Sequence, residues 1–255
     1  MSGAPRLQTL RRQIAVLERG RARGHGVSPF GDPQIDGCLA GGGLARGAWH
    51  ALTGDGLEGE MAAAPGAFAI LLARPLLRHG VAVWVLRRDD LYAPGLAALG
   101  FPAQRLIFVR AGDDDAVLAA LEDSARTSGV AVAVGETDAI SLVAGRRLQL
   151  ACEVHGATVL LIERRPYGGR GVQVEAASPA TRWRIASAPG AHDPAGPGLL
   201  GPPRWRAVLE RSRGGRPGAW IVEMKEQEDG PYPLRVVAEL ADHRMAAPDA
   251  VAAFG

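Results

Sequence analysis

Nucleotide phosphates are usually gripped where an apolar strand gives way to a glycine-bearing loop and then a helix, because backbone N–H groups and the helix N-terminus face the anion there. Residues 48–68 have this layout. The apolar stretch Ala48-Trp49-His50-Ala51-Leu52 leads into a loop carrying Gly54, Gly56, Gly59 and Gly66, and an apolar helix follows over 66–79. The chemistry needed to hold a triphosphate is missing. No Gly-x-x-x-x-Gly-Lys-Ser/Thr occurs, and the loop carries Asp55, Glu58 and Glu60, which repel phosphate, while Pro65 removes an N–H donor.

The lysine count decides the point. Of 29 Lys plus Arg, the one lysine is Lys225, far from this loop, so no shift of the loop boundaries recovers a phosphate lysine. A favourable charge contact at ~4 Å is worth about 4 kcal/mol at an effective dielectric of ~20, close to three powers of ten in binding. An arginine from further along the helix, Arg74 or Arg78, approaches with the wrong geometry. The expectation is a phosphate loop without function: no catalytic residues, no cofactor and no metal.

Other reactive constellations are equally thin. There is no Gly-x-Ser-x-Gly elbow and no His-Glu-x-x-His, and the six histidines are scattered. Cys38 and Cys152 are far apart and read as small buried hydrophobes. Asp89-Asp90 and Asp113-Asp114-Asp115 read as helix caps or solvated carboxylates.

The elements that must carry these residues alternate. Strands are expected over 81–86, 106–110, 129–134 and 158–162, with helices over 113–128 and 139–155 and a short one near 96–99. Continuous apolar strands alternating with helices predict an α/β fold with a mainly parallel, twisted sheet covered on both faces. Past Glu163 comes an arginine- and glycine-rich loop with Arg164, Arg165 and Arg170, then a strand over 181–187. A β-hairpin follows, with arms 205–211 and 219–225 around Gly214-Gly215-Arg216-Pro217-Gly218. Residues 188–203, rich in proline and glycine, are expected to be irregular, and 234–240 to add an edge strand before a loose tail. At the other end, Leu7, Leu10, Ile14 and Leu17 repeat at three and four, which predicts an amphipathic helix with an arginine-rich outer face and a docking stripe for a partner or for its own domain. The division expected is a helical extension over 1–24, a core over 27–225, and an edge strand with tail over 226–255.

With 255 residues and a formal net charge of +2, the chain is long enough for one large domain and too nearly neutral to coat duplex DNA. No apolar run reaches the ~18 residues that span a bilayer, and the first ten residues lack a signal-peptide stretch, so a cytoplasmic location is expected.

Three motifs carry a family resemblance. Phe30-Gly31, Ile35-Asp36, Leu39, Gly41-Gly42-Gly43-Leu44 and Gly47, ahead of the strand and loop, resemble the entry into the RecA ATPase core. Gly135-Glu136-Thr137-Asp138-Ala139-Ile140-Ser141-Leu142 with Arg146-Arg147-Leu148-Gln149-Leu150-Ala151, and the hairpin around Leu209-Glu210-Arg211-Ser212-Arg213-Gly214-Gly215-Arg216, resemble the shortened RecA relatives of the ImuA family. The resemblance implies a RecA-like core with an antiparallel C-terminal hairpin. It implies a non-catalytic accessory factor of SOS-induced translesion synthesis and mutagenesis, partnered by ImuB, an inactive polymerase relative, together with RecA and an error-prone C-family polymerase. By the same likeness Glu136 lies where an active relative closes its magnesium site, Asp89 or Asp90 lies near the position of the water-activating glutamate, and Arg164, Arg165 and Arg170 fall in a DNA-contacting loop. Arg211, Arg213 and Arg216 could join that surface. Self-association, a single-stranded DNA-binding module, a division inhibitor of the SulA type and a weak residual ATPase are the alternatives left open.

Overall fold

The computed structural model describes residues 25–56, 63–89, 91–164, 179–190, 201–225 and 234–240. The helix expected over 5–19, with Leu7, Leu10, Ile14 and Leu17, lies outside the described residues, as do Gly59, Asp90, Arg165 and Arg170.

Nine strands form one sheet. In chain order they are β3 (Trp49–Gly54), β4 (Val81–Leu86), β5 (Leu106–Arg110), β6 (Val130–Thr137), β7 (Thr158–Glu163), β8 (Thr181–Ala188), β9 (Arg204–Ser212), β10 (Gly218–Met224) and β11 (Leu234–Glu239). Their spatial order is β11-β10-β9-β8-β3-β7-β6-β4-β5. The strands from β8 to β5 run parallel, and β9, β10 and β11 continue the sheet antiparallel. The α/β, mostly parallel architecture and the C-terminal hairpin are those expected from the sequence. A further ribbon, β1 (Val27–Ser28) with β2 (Leu44–Ala45), was not anticipated. It brackets α1 (Pro33–Asp36), which Asp32 caps by accepting from the Gln34 N–H at 3.0 Å.

The helices are α2 (Ala63–Ala73), α3 (Ala93–Ala98), α4 (Asp114–Ala125) and α5 (Leu142–His155). The single helix expected over 66–79 is divided: the α-helix stops at Ala73 and a 3₁₀ stretch, Arg74–His79, follows. Pro75 is the cause, since it has no N–H to continue the i→i−4 ladder. Asp113 caps α4 through the Ala116 N–H at 2.8 Å and Ser141 caps α5 through the Ala144 N–H at 3.2 Å.

Strand alternation sorts the core into two layers. Leu52, Trp84, Val132, Val134, Leu160 and Ile162 pack toward α2, where Phe30, Phe68, Trp183 and Trp220 form a tilted aromatic chain with centroids 5.4 to 6.5 Å apart. Trp49, Ala51, Val83, Val85, Ala133 and Val159 pack on the other face against α4 and α5. Both cysteines are buried and unbridged, and burial pushes the Cys152 thiol up to about 12. No helix among the described residues is long and apolar enough to cross a membrane.

Candidate functional site at the carboxyl ends of the strands

Ligands of open parallel sheets bind beyond the carboxyl ends of the strands, where the loop after β3 lies. Gly54 closes β3, and Asp55 begins the loop with its N–H donating to the Ile185 carbonyl at 3.0 Å. The side chain of Asp55 is also committed. Arg206 of β9 donates to it at 2.6 Å, and Arg184 of β8 stands 3.7 Å away while also pairing with Glu210. The carboxylate that would repel a phosphate is therefore cancelled from the side, by arginines of the antiparallel extension. Gly66, within α2, has open space around it, so nothing in the fold requires glycine there.

The acidic position at the end of β6 behaves likewise. Glu136 continues the alternation of Val132 and Val134 and so faces α2, as does Arg164, which follows Leu160 and Ile162 at the end of β7. Arg164 donates to Glu136 through Nε at 3.0 Å and through a terminal nitrogen at 2.8 Å, with side chains only 11% and 6% exposed. Both nitrogens lie against the same carboxylate oxygen, Oε2, and the pair is nearly dry. One strand over, Arg182 reaches across β3 to Glu163 at 2.8 Å. Thr53 and Thr137, the register neighbours of Glu163 on β3 and β6, have buried hydroxyls without a hydrogen-bond partner among the described residues.

Of the residues singled out for DNA contact, Arg164 faces Glu136. Arg211 and Arg216 of the hairpin are exposed and Arg213 is half-buried. The hairpin turn is held by Arg216 N–H donating to the Cys38 carbonyl at 3.0 Å, and a Cβ on Gly215 would stand 2.1 Å from that same oxygen. Glycine is required there by close approach. Asp89 pairs with Arg110, and Asp114 and Asp138 share Arg87 at 2.5 and 2.9 Å.

The second motif proves largely structural. Arg147 binds the buried Glu122 of α4 at 2.9 Å, Leu148 and Ala151 are core, and Gln149 donates to the Gly47 carbonyl at 3.3 Å. A carbon on Gly135 would meet Leu121 at 2.8 Å. In the hairpin, burial raises the Glu223 carboxyl, but hydrogen bonds from Arg235 and Arg204 outweigh it and hold the group below its usual range. Outward on α5 stand Leu142, Val143, Leu150 and Val154, from 42% to 65% exposed, interspersed with the exposed Arg146, Arg147, Glu153 and His155.

Sequence reasoning missed the buried His50. Its Nε2 lies 2.9 Å from the Ala45 carbonyl, which can only accept, so Nε2 carries the proton; Nδ1 then accepts from the Thr181 hydroxyl at 2.8 Å, and Thr181 accepts from Trp183 Nε1 at 2.8 Å. Burial brings the imidazole down to about 4. It is a structural, neutral histidine. The hint in the sequence was its place in the middle of an apolar strand.

No family model matches the sequence. Two curated relatives named Protein ImuA do, from Caulobacter vibrioides strain NA1000 / CB15N and strain ATCC 19089 / CIP 103742 / CB 15. Each is 53% identical over 245 residues, which cover 94% of this chain and 100% of the relative. At that identity and coverage, with the three sequence motifs all lying within the described residues, the chain belongs to the ImuA family.

Proposed function

We propose that this protein is a non-catalytic accessory factor of damage-induced mutagenesis, built on a RecA-like core and acting beside ImuB in translesion synthesis. The observation that carries the reading is the closure of the would-be phosphate site by its own charges. Glu136, which by family likeness stands where an active relative closes its magnesium site, is bound by Arg164, and Asp55 of the loop is bound by Arg206 and flanked by Arg184. Opening the Glu136–Arg164 pair to admit Mg²⁺ and triphosphate would strand a buried ion, and the chain has no lysine near the loop to compensate.

A scaffold that does no chemistry works through its surfaces. The exposed Leu142, Val143, Leu150 and Val154 of α5 support a protein contact, because large apolar side chains held out to water among arginines are common material of interfaces. In this reading 27–225 is the core, 1–24 a docking extension with Leu7, Leu10, Ile14 and Leu17, and 226–255 an edge strand with a tail. The adaptor joins the polymerase-like ImuB, with RecA and an error-prone C-family polymerase as further partners. Single-stranded DNA, where it is touched, is assigned to Arg165 and Arg170 together with the exposed Arg211 and Arg216.

The test is a pull-down of the tagged full chain from DNA-damaged cells. ImuB is expected to be retained, and to be lost with Leu150→Asp plus Val154→Asp in α5 while the circular dichroism spectrum is unchanged. An intact, folded chain that retains no ImuB would contradict the adaptor reading.

A further inference from the structure

At the opposite end of the sheet, where the strands begin, the charge arrangement is inverted. The 3₁₀ stretch Arg74–His79 runs into β4, and a second short 3₁₀ turn, Ala103–Arg105, runs into β5. Between them lies an open cleft of about 300 Å³ lined by Arg74, Leu77, Arg78, Gly100, Pro102 and Arg105. Its three charged side chains are all arginines. The sequence explains why nothing neutralises them locally: residues 61–88 and 91–112 contain no aspartate or glutamate.

The guanidinium groups are positioned but not used up. Arg105 is tied back by one hydrogen bond to the Leu77 carbonyl at 2.5 Å, and Arg78 by one from Nε to the Pro75 carbonyl at 3.1 Å. Each guanidinium has five N–H donors, so at the exposed Arg78 and Arg105 most are left to water or to a ligand. Arg74 is half-buried and has no ion-pair or hydrogen-bond partner among the described residues. Its burial lowers its proton affinity with no carboxylate to restore it. The excess of positive charge extends beyond the cleft, since His79 is held down by burial and by Arg46 and Arg78 beside it.

Half-buried, unpaired guanidinium is costly unless an anion completes it. Several planar forks converging on one depression match the many oxygens of a phosphate better than the two of a carboxylate. We infer that the cleft between Arg74–His79 and Ala103–Arg105 is a phosphate-binding site, separate from the closed loop after β3. The phosphate can belong to a small phosphoester or to a nucleic-acid backbone, since both present the same oxygens.

The experiment uses the full chain with two probes, pyrophosphate and a short fluorescein-labelled thymidine oligonucleotide. Pyrophosphate is expected to bind and to raise the melting temperature of the wild type by linkage. Arg74→Gln plus Arg78→Gln is expected to weaken it at least tenfold with no loss of helical circular dichroism. Arg78→Gln alone, an exposed position, gives the same direction if the double variant folds poorly. Oligonucleotide binding that weakens in parallel, with the salt slope reduced by about 0.7 per contact removed, identifies a backbone phosphate. Oligonucleotide binding that is unchanged identifies a small phosphoester. Pyrophosphate binding that is absent, or indifferent to both variants, overturns the inference. So does a glutamate-rich peptide that binds with the same arginine dependence when pyrophosphate does not.

Discussion

The two ends of the parallel sheet differ in how they treat charge. At the carboxyl ends, where a nucleotide would be sought, Asp55, Glu136, Glu163 and Glu210 each meet an arginine from another strand or from the residue after one. At the amino ends, Arg74, Arg78 and Arg105 line a cleft with no carboxylate in its lining, and His50 of β3 is kept neutral. Position relative to the strands therefore does not identify the binding end. Whether the charges there are already satisfied does so better, because a paired ion is no longer available to a ligand and an unpaired one is unstable without it.

The sharpest way to break this comparison is to remove one partner of the driest pair. Arg164→Ala removes the guanidinium from the buried Glu136, and should cost about 3 to 5 kcal/mol in chemical denaturation. Replacing both residues by methionine should recover most of that, because the buried charges go together. A pair that served only solvent would show neither effect.

His50 tests the neutral end by pH. Its folded pKa, about 4, lies below the unfolded value of 6.5. The unfolded state thus takes up the proton first, so stability is fully present above pH 6.5 and falls as pH drops toward 4. The expected loss is about 2 kcal/mol by pH 5 and about 3 by pH 4. His50→Gln should flatten that dependence in denaturant midpoints measured from pH 7 to 5.

Arg206→Gln, which frees Asp55 at a part-exposed pair, is expected to cost only about 0.5 kcal/mol, less at high salt. The smallest effect belongs to the amino end. Arg74→Gln should leave the melting temperature unchanged or slightly raised, since no native partner is lost. A clear fall would show that the guanidinium is already satisfied within the protein.

Much of this contrast was legible in the chain. β4 and β5 fall where apolar runs are bounded by glycine, arginine or alanine, and the missing lysine was evident from one count. The division of the second helix was in principle legible from Pro75. What was hidden is distance in sequence. Arg206 meets Asp55 from 151 residues away and Arg164 meets Glu136 from 28 away, and no local pattern records either encounter. The likeness to an ATPase suggested Arg164 as a DNA contact, whereas strand alternation turns it inward to Glu136. The amino-end cleft left a different trace, two acid-free segments that meet only when β4 and β5 pair. His50 was unreadable as a hydrogen-bond centre because Thr181 lies 131 residues on.

The central claim, that internal ion pairs have closed the phosphate site after β3, is tested most directly by titrating the purified full chain with ATP and Mg²⁺ alongside Glu136→Gln. The account predicts no phosphate release above buffer from either protein, and no magnesium-dependent ATP affinity that the substitution abolishes. Steady turnover by the wild type that disappears in Glu136→Gln would contradict it.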